Sequence, residues 1–145
     1  MFDLSGKTAH VTGASGGIGK AIAQSLHAQG AHVVLSGTRL EALESLAAEL
    51  GPRTALVTAN LGDPASVDGL IGEAEAAAGA PVDILVSNAG LTRDGLLMRM
   101  KDEDWEAVIR VNLEAYFRLS RAALRGMMKR RWGRIVGITS VVGVT

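Results

Sequence analysis

Five short apolar runs recur along the chain, at Thr8–Thr12, His32–Ser36, Thr54–Thr58, Asp83–Val86 and Arg134–Thr139, and a helical pattern separates each from the next. Runs this brief, apolar without strict polar alternation, suit strands covered on both faces. Such strands belong to parallel sheets, which need long crossover connections, and the helical stretches provide them. This alternation restricts the chain more than any other feature.

The helices carry their own punctuation. Ile18–Gln29 is closed by Gly30, a residue that takes positive φ without penalty. Leu40–Leu50 has apolar residues at 40, 43, 46, 47 and 50, and Gly51-Pro52 ends it. Asp63-Pro64 is a helix start, an N-cap carboxylate followed by proline at the first helical position, and Gly79 is the stop. Asp102, Glu103 and Asp104 open a long helix, and Lys129, Arg130 and Arg131 close it, in the sense the helix dipole favours. Right-handed crossovers then predict one α/β domain over residues 1–145, a Rossmann-like doubly wound parallel sheet with about five strands.

Composition agrees. Aromatic content of 3% with 18 glycines implies a core of Ala, Val, Leu and Ile in which helices lie close on the sheet. Fifteen basic and fifteen acidic residues cancel, so no global field favours nucleic acid or an anionic membrane. No apolar stretch reaches the roughly 20 residues of a membrane span. The absence of cysteine excludes disulfides and thiolate metal sites. No metal site is expected. Met1–Lys7 lacks a signal-peptide pattern, so the cytoplasm is the expected location.

Chemistry is expected first at the turn Thr12-Gly13-Ala14-Ser15-Gly16-Gly17-Ile18-Gly19, between the first strand and the first helix. Glycines there permit a tight turn and let a pyrophosphate approach backbone amides at a positively polarised helix start. The spacing Gly13, Gly17, Gly19 differs from the commoner dinucleotide fingerprint. An acid at the end of the second strand would select NAD. Gly37-Thr38-Arg39 stands there instead, and its hydroxyl and guanidinium suit a 2′-phosphate. NADPH is therefore the expected cofactor. Arg39 also reads as a solvated residue beginning the second helix.

With its Thr-Gly-x-x-x-Gly-x-Gly loop, Ser87-Asn88-Ala89-Gly90 after the fourth strand, Asn112 in the long helix and Ser140 at the end of the fifth strand, the chain resembles the short-chain dehydrogenase/reductase family. Gly90-Leu91-Thr92-Arg93-Asp94-Gly95-Leu96-Leu97-Met98-Arg99-Met100 resembles the 3-oxoacyl-acyl-carrier-protein reductases within it. The resemblance implies cofactor contacts at Gly13, Ser15, Gly16, Gly17, Ile18, Gly19, Thr38, Arg39, Asn60, Leu61, Asn88, Ala89 and Gly90. Gly16 stands where related NADPH reductases often carry a second arginine. Asn60 reads equally as a turn residue, and Asn88 as a support between strands.

The resemblance also implies catalytic roles for Asn112 and Ser140. Ser140 would donate to the substrate carbonyl, and Asn112 would hold a water within an Asn-Ser-Tyr-Lys set. In its helix Trp105, Val108, Ile109, Tyr116 and Leu119 mark an apolar face, and Asn112 falls on that seam. A buried amide there needs partners, which the sheet backbone could also supply.

The Tyr-x-x-x-Lys pair of that set is absent. Tyr116 is the one tyrosine, and Ser120 follows it at the lysine position. The chain accordingly resembles the amino-terminal part of a reductase, and alone it is expected to be inactive. Three readings stand: an NADPH-dependent 3-oxoacyl-acyl-carrier-protein reductase, a reductase of another carbonyl, and a non-catalytic nucleotide-binding fragment. Arg130 and Arg131 are candidates for docking an acidic acyl carrier protein, or simply helix-terminal cations. The resemblance further implies a homo-oligomer, most often a tetramer.

Overall fold

The computed structural model describes residues 3–90 and 97–139. Its elements follow the expected order: β1 (Thr8–Val11), α1 (Gly17–Ala28), β2 (His32–Gly37), α2 (Leu40–Leu50), β3 (Thr54–Thr58), α3 (Pro64–Ala78) and β4 (Ile84–Ser87). A short 3₁₀ turn at Leu97–Arg99 then leads into α4 (Asp102–Val108), α5 (Ala115–Arg130) and β5 (Arg134–Gly137). All four pairings are parallel, and the spatial order is β3-β2-β1-β4-β5. The chain runs outward from β1 to β3, then returns to the other side of β1 for β4. This places a topological switch point between β1 and β4.

Alternate residues divide the core into two layers. Ala9, Val11, Val33, Leu35, Ile84 and Val86 face α1 and α2, where Ala23, Leu43 and Leu46 meet them. Val34 and Leu85 face α3 and α5, covered by Val67, Leu70, Ile71, Leu119 and Ala123. Burial on both sides explains why these strands lack polar alternation. The outermost strands differ from that expectation. Val136 of β5 remains 44% exposed, and β3 is only half-buried, because each pairs on one side alone among the described residues.

The long helix is not the uninterrupted α-helix that periodicity suggests. Between α4 and α5, Ile109–Glu114 adopts π-helical geometry. A π segment takes more residues per turn, so it rotates the apolar stripe. The buried positions of α5 are Ala115, Leu119, Ala123 and Met127, whereas Trp105 is 58% exposed. The apolar face drawn through Trp105 is thus corrected.

The starts of α1 and α3 differ in a way that matters below. At α3 the Asp63 carboxylate accepts from the Ala65 amide at 3.1 Å. At α1 the N-cap is Gly16, with no side-chain cap and no acid in the first turn.

Candidate functional site

The β1–α1 turn is held by backbone and by two polar side chains. Thr12 Oγ1 accepts the amides of Asn88 and Ala89 at 3.1 and 3.3 Å, and it donates to Val86 O at 3.4 Å. Asn88 Nδ2 donates in return to Gly13 O at 3.2 Å. The loops after β1 and β4, far apart in sequence, therefore form one unit across the switch point. The Ala14 amide donates to Ser36 O at 3.0 Å and ties the same turn to β2.

Two glycines are required by this closeness. Gly13 has φ +62°, and a Cβ there would lie 2.8 Å from Ala89 Cα. A Cβ on Gly19 would fall on Gly13 O and lie 2.7 Å from Asn88 Nδ2. Gly16 and Gly17 meet no such obstacle, and they face open space.

That space is a cavity of about 980 Å³. Its floor is Gly13, Ser15, Gly16, Gly17 and Ile18, and its walls include Thr38, Asn60, Leu61, Asn88, Ala89 and Gly90. The first amides of α1 have no intrahelical acceptors, and their dipole is positive at this end. An anionic group in the cavity would meet unpaired N–H donors. Gly19 does not line the cavity; it is buried behind Gly13.

Other expected residues sit differently. Thr38 reaches the wall, but Arg39 is the residue flanking α2 and is not among those lining the cavity. Asn60 lines the cavity while its Oδ1 accepts the Gly62 amide at 3.0 Å, so it is also a turn residue. Asn88 likewise combines lining with strand support. Asn112 lies in the π segment, none of whose residues is buried, and is exposed rather than on a buried seam. Its Oδ1 is 3.6 Å from where a Gly90 Cβ would be. Ser140, and residues 91–96 of the longest matching stretch, lie outside the described residues.

Arg130 is engaged within the fold. Its Nη2 donates to Val82 O at 2.8 Å, and its Nε is 3.8 Å from Asp83 Oδ1. Asp83 Oδ2 in turn accepts the Thr8 amide at 2.9 Å. Arg131 is exposed, in left-handed conformation at the end of α5 (φ +56°).

Sequence reasoning missed several wall residues: Ser36 and Gly37 from β2, and Glu103, Glu106 and Arg110 from α4 and the π segment. A serine inside the apolar run His32–Ser36 was the available signal for the first. The α4 residues read only as a helix start, and nothing local says that this start borders a cavity. Beneath Ser36 lies His10, fully buried, with Nε2 2.7 Å from Ser36 Oγ. Burial pushes its imidazole down to about 4 from the ordinary 6.5.

Among the described residues no helix is long and apolar enough to cross a membrane. Comparison with known proteins finds Nodulation protein G of a Rhizobium species 61% identical over 145 residues, all of this chain and 59% of the relative. The 3-oxoacyl-acyl-carrier-protein reductase FabG of Escherichia coli is 50% identical over 142 residues, 98% of this chain and 58% of the relative. That of Rickettsia bellii is 48% identical over 145 residues, again 58% of its length. The chain thus spans under two thirds of these curated relatives. The short chain dehydrogenase family matches residues 7–145. On that match, and on a parallel sheet with an open glycine turn at its switch point, the chain belongs to the short chain dehydrogenase family of oxidoreductases, whose chemistry runs on a nicotinamide nucleotide.

Proposed function

We propose that the protein to which these residues belong uses NADPH to reduce 3-oxoacyl-acyl-carrier-protein to the 3-hydroxyacyl form. One observation carries the nucleotide part: α1 begins uncapped on the floor of the cavity, while α3 is capped by its own aspartate. A diphosphate fits the donors and the dipole at that start. Relatives named 3-oxoacyl-acyl-carrier-protein reductase at 48–50% identity support the substrate.

In this reading the amides at the start of α1, those of Gly17 and Ile18 on the cavity floor, bind the diphosphate, with Gly13, Ser15 and Gly16 shaping the turn beneath it and Gly19 packed behind it. Asn60 and Leu61 receive the adenine, and Thr38 and Arg39 the 2′-phosphate. Ala89, Gly90 and Asn112 border the reacting end. When bound, NADPH supplies a hydride to the keto carbon. Ser140 donates a hydrogen bond to the carbonyl oxygen, which gains negative charge as the hydride arrives. A donor placed for that charge lowers the barrier selectively. The oxygen then needs a proton, and the family's Tyr-x-x-x-Lys pair would deliver it. The 145 residues hold no such pair, so turnover requires one from outside them.

With Arg130 held by Val82 O and Asp83, docking of an acidic carrier protein falls to Arg131. Association with further copies is supported by a second apolar stripe on the helix. Leu113, Phe117, Leu124 and Met128, spaced four, seven and four apart, are 61%, 58%, 45% and 68% exposed. A patch of that kind marks an interaction surface.

Relatives at 61% and 55% identity carry the name Nodulation protein G, which states no 3-oxoacyl substrate, and this leaves reduction of another carbonyl as the second reading. Titration of the full-length protein with NADPH and NADH, then a panel of ketoacyl thioesters and unrelated ketones, tests both. Preference for NADPH and for the carrier-protein substrate is expected. Activity confined to unrelated ketones would overturn the substrate assignment, and no affinity for either nucleotide would overturn the whole reading.

A further inference from the structure

We propose that His10 is a positioning residue for the adenine-nucleotide end of the cavity, acting through the hydroxyl of Ser36. The inference rests on the nucleotide reading above.

His10 lies at the middle of the sheet, in register with Val34 of β2 and Leu85 of β4. It is fully buried, in the layer closed by Val67, Leu70 and Leu119. An aliphatic residue would fill such a place without desolvating a polar ring, so the imidazole is there at a cost that packing does not explain. The ordinary explanation is a core histidine that merely satisfies a core serine. Ser36 is itself 1% exposed, yet unlike a serine enclosed wholly by the core it borders the cavity beside Gly37 and Thr38.

The hydrogen-bond pattern sets a direction. His10 Nε2 and Ser36 Oγ are 2.7 Å apart, and among the described residues His10 Nδ1 has no partner. A neutral imidazole carries one N–H and one bare nitrogen. With the proton on Nδ1, a buried donor would be orphaned, and orphaned donors are rarer than under-used acceptors. The proton is therefore assigned to Nε2, which donates to Ser36 Oγ. The Ser36 hydroxyl then has its own hydrogen to donate. It can turn that hydrogen toward a ring nitrogen or ribose oxygen in the cavity. Ser36 O meanwhile accepts the Ala14 amide, so the residue that His10 orients also anchors the glycine turn.

The test is calorimetric titration of the protein with adenosine 2′,5′-bisphosphate, for wild type, Ser36→Ala, His10→Leu, His10→Gln and the Ser36→Ala/His10→Leu double variant. Loss of one neutral hydrogen bond predicts about three- to tenfold weaker binding in each of Ser36→Ala and His10→Leu. The double variant should be no weaker than Ser36→Ala, since His10 acts only through that hydroxyl. His10→Gln keeps an N–H donor and should recover most of the loss. Nicotinamide mononucleotide should bind all variants alike, and ¹⁵N shifts should show His10 protonated at Nε2. Unchanged affinity in Ser36→Ala, losses that multiply in the double variant, or a proton on Nδ1 would each overturn the proposal while wild-type binding upholds the nucleotide reading. Absence of wild-type binding would overturn both. Should His10→Leu fail to fold, Ser36→Ala and the ring tautomer still decide.

Discussion

Acidification should weaken this fold through His10 in a way that one substitution isolates. Buried without charge, the imidazole titrates at about 4 in the folded chain and at 6.5 when unfolded. Between those values the unfolded chain binds more protons, so stability rises with pH across the interval. Its contribution is complete above 6.5, falls as the pH drops and is fully lost below about 4. The gap in titration corresponds to about 3 kcal/mol, with about 2 kcal/mol already lost at pH 5. Domains are stable by only about 5–15 kcal/mol, so this is a sizeable fraction. Urea unfolding followed by far-ultraviolet circular dichroism at pH 7.5 and pH 5 measures it. Carboxylates also titrate in this range, and comparison with His10→Gln removes their contribution. The wild-type midpoint should fall by roughly 1 M urea more than that of the variant over this interval, for a slope of about 2 kcal/mol per molar. Equal falls in the two proteins would show that His10 does not stay neutral in a dry core.

Three further outcomes follow from the structure. Gly19→Ala would drive a methyl group onto Gly13 O and against Asn88. NADPH affinity should drop at least about tenfold as the turn is displaced, and fluorescence titration reads this. Arg131→Glu should reduce turnover of carrier-protein substrates more than of small thioester analogues in the full-length protein, with stability unchanged. Arg130→Glu should instead lower the melting temperature, because it removes the bond to Val82 O and places a carboxylate beside Asp83.

The order of strands and helices was legible because its signals are local. Apolar runs of four to six residues, glycine at helix ends and Asp63-Pro64 at the start of α3 each act within a few positions, and the boundaries shift by only a residue or two. The glycine turn was legible for the same reason: a strand, a tight turn and a helix start are contiguous. The Trp105 side of the long helix was misassigned because periodicity assumes one uniform helix. Six π-helical residues break that assumption with no glycine or proline to announce them.

What the sequence determined by itself is therefore a parallel α/β sheet with an anion-ready turn after its first strand. The tertiary structure decided what that turn faces. Strand order β3-β2-β1-β4-β5 brings Asn88 to Gly13, Thr12 to Ala89 and His10 to Ser36, pairs separated by 75, 77 and 26 residues. It also directs Arg130 inward to Val82 and leaves Arg131 outside. No local pattern encodes such contacts, because they arise only when crossovers set distant strands side by side and each hydrogen bond is chosen by its neighbour in space.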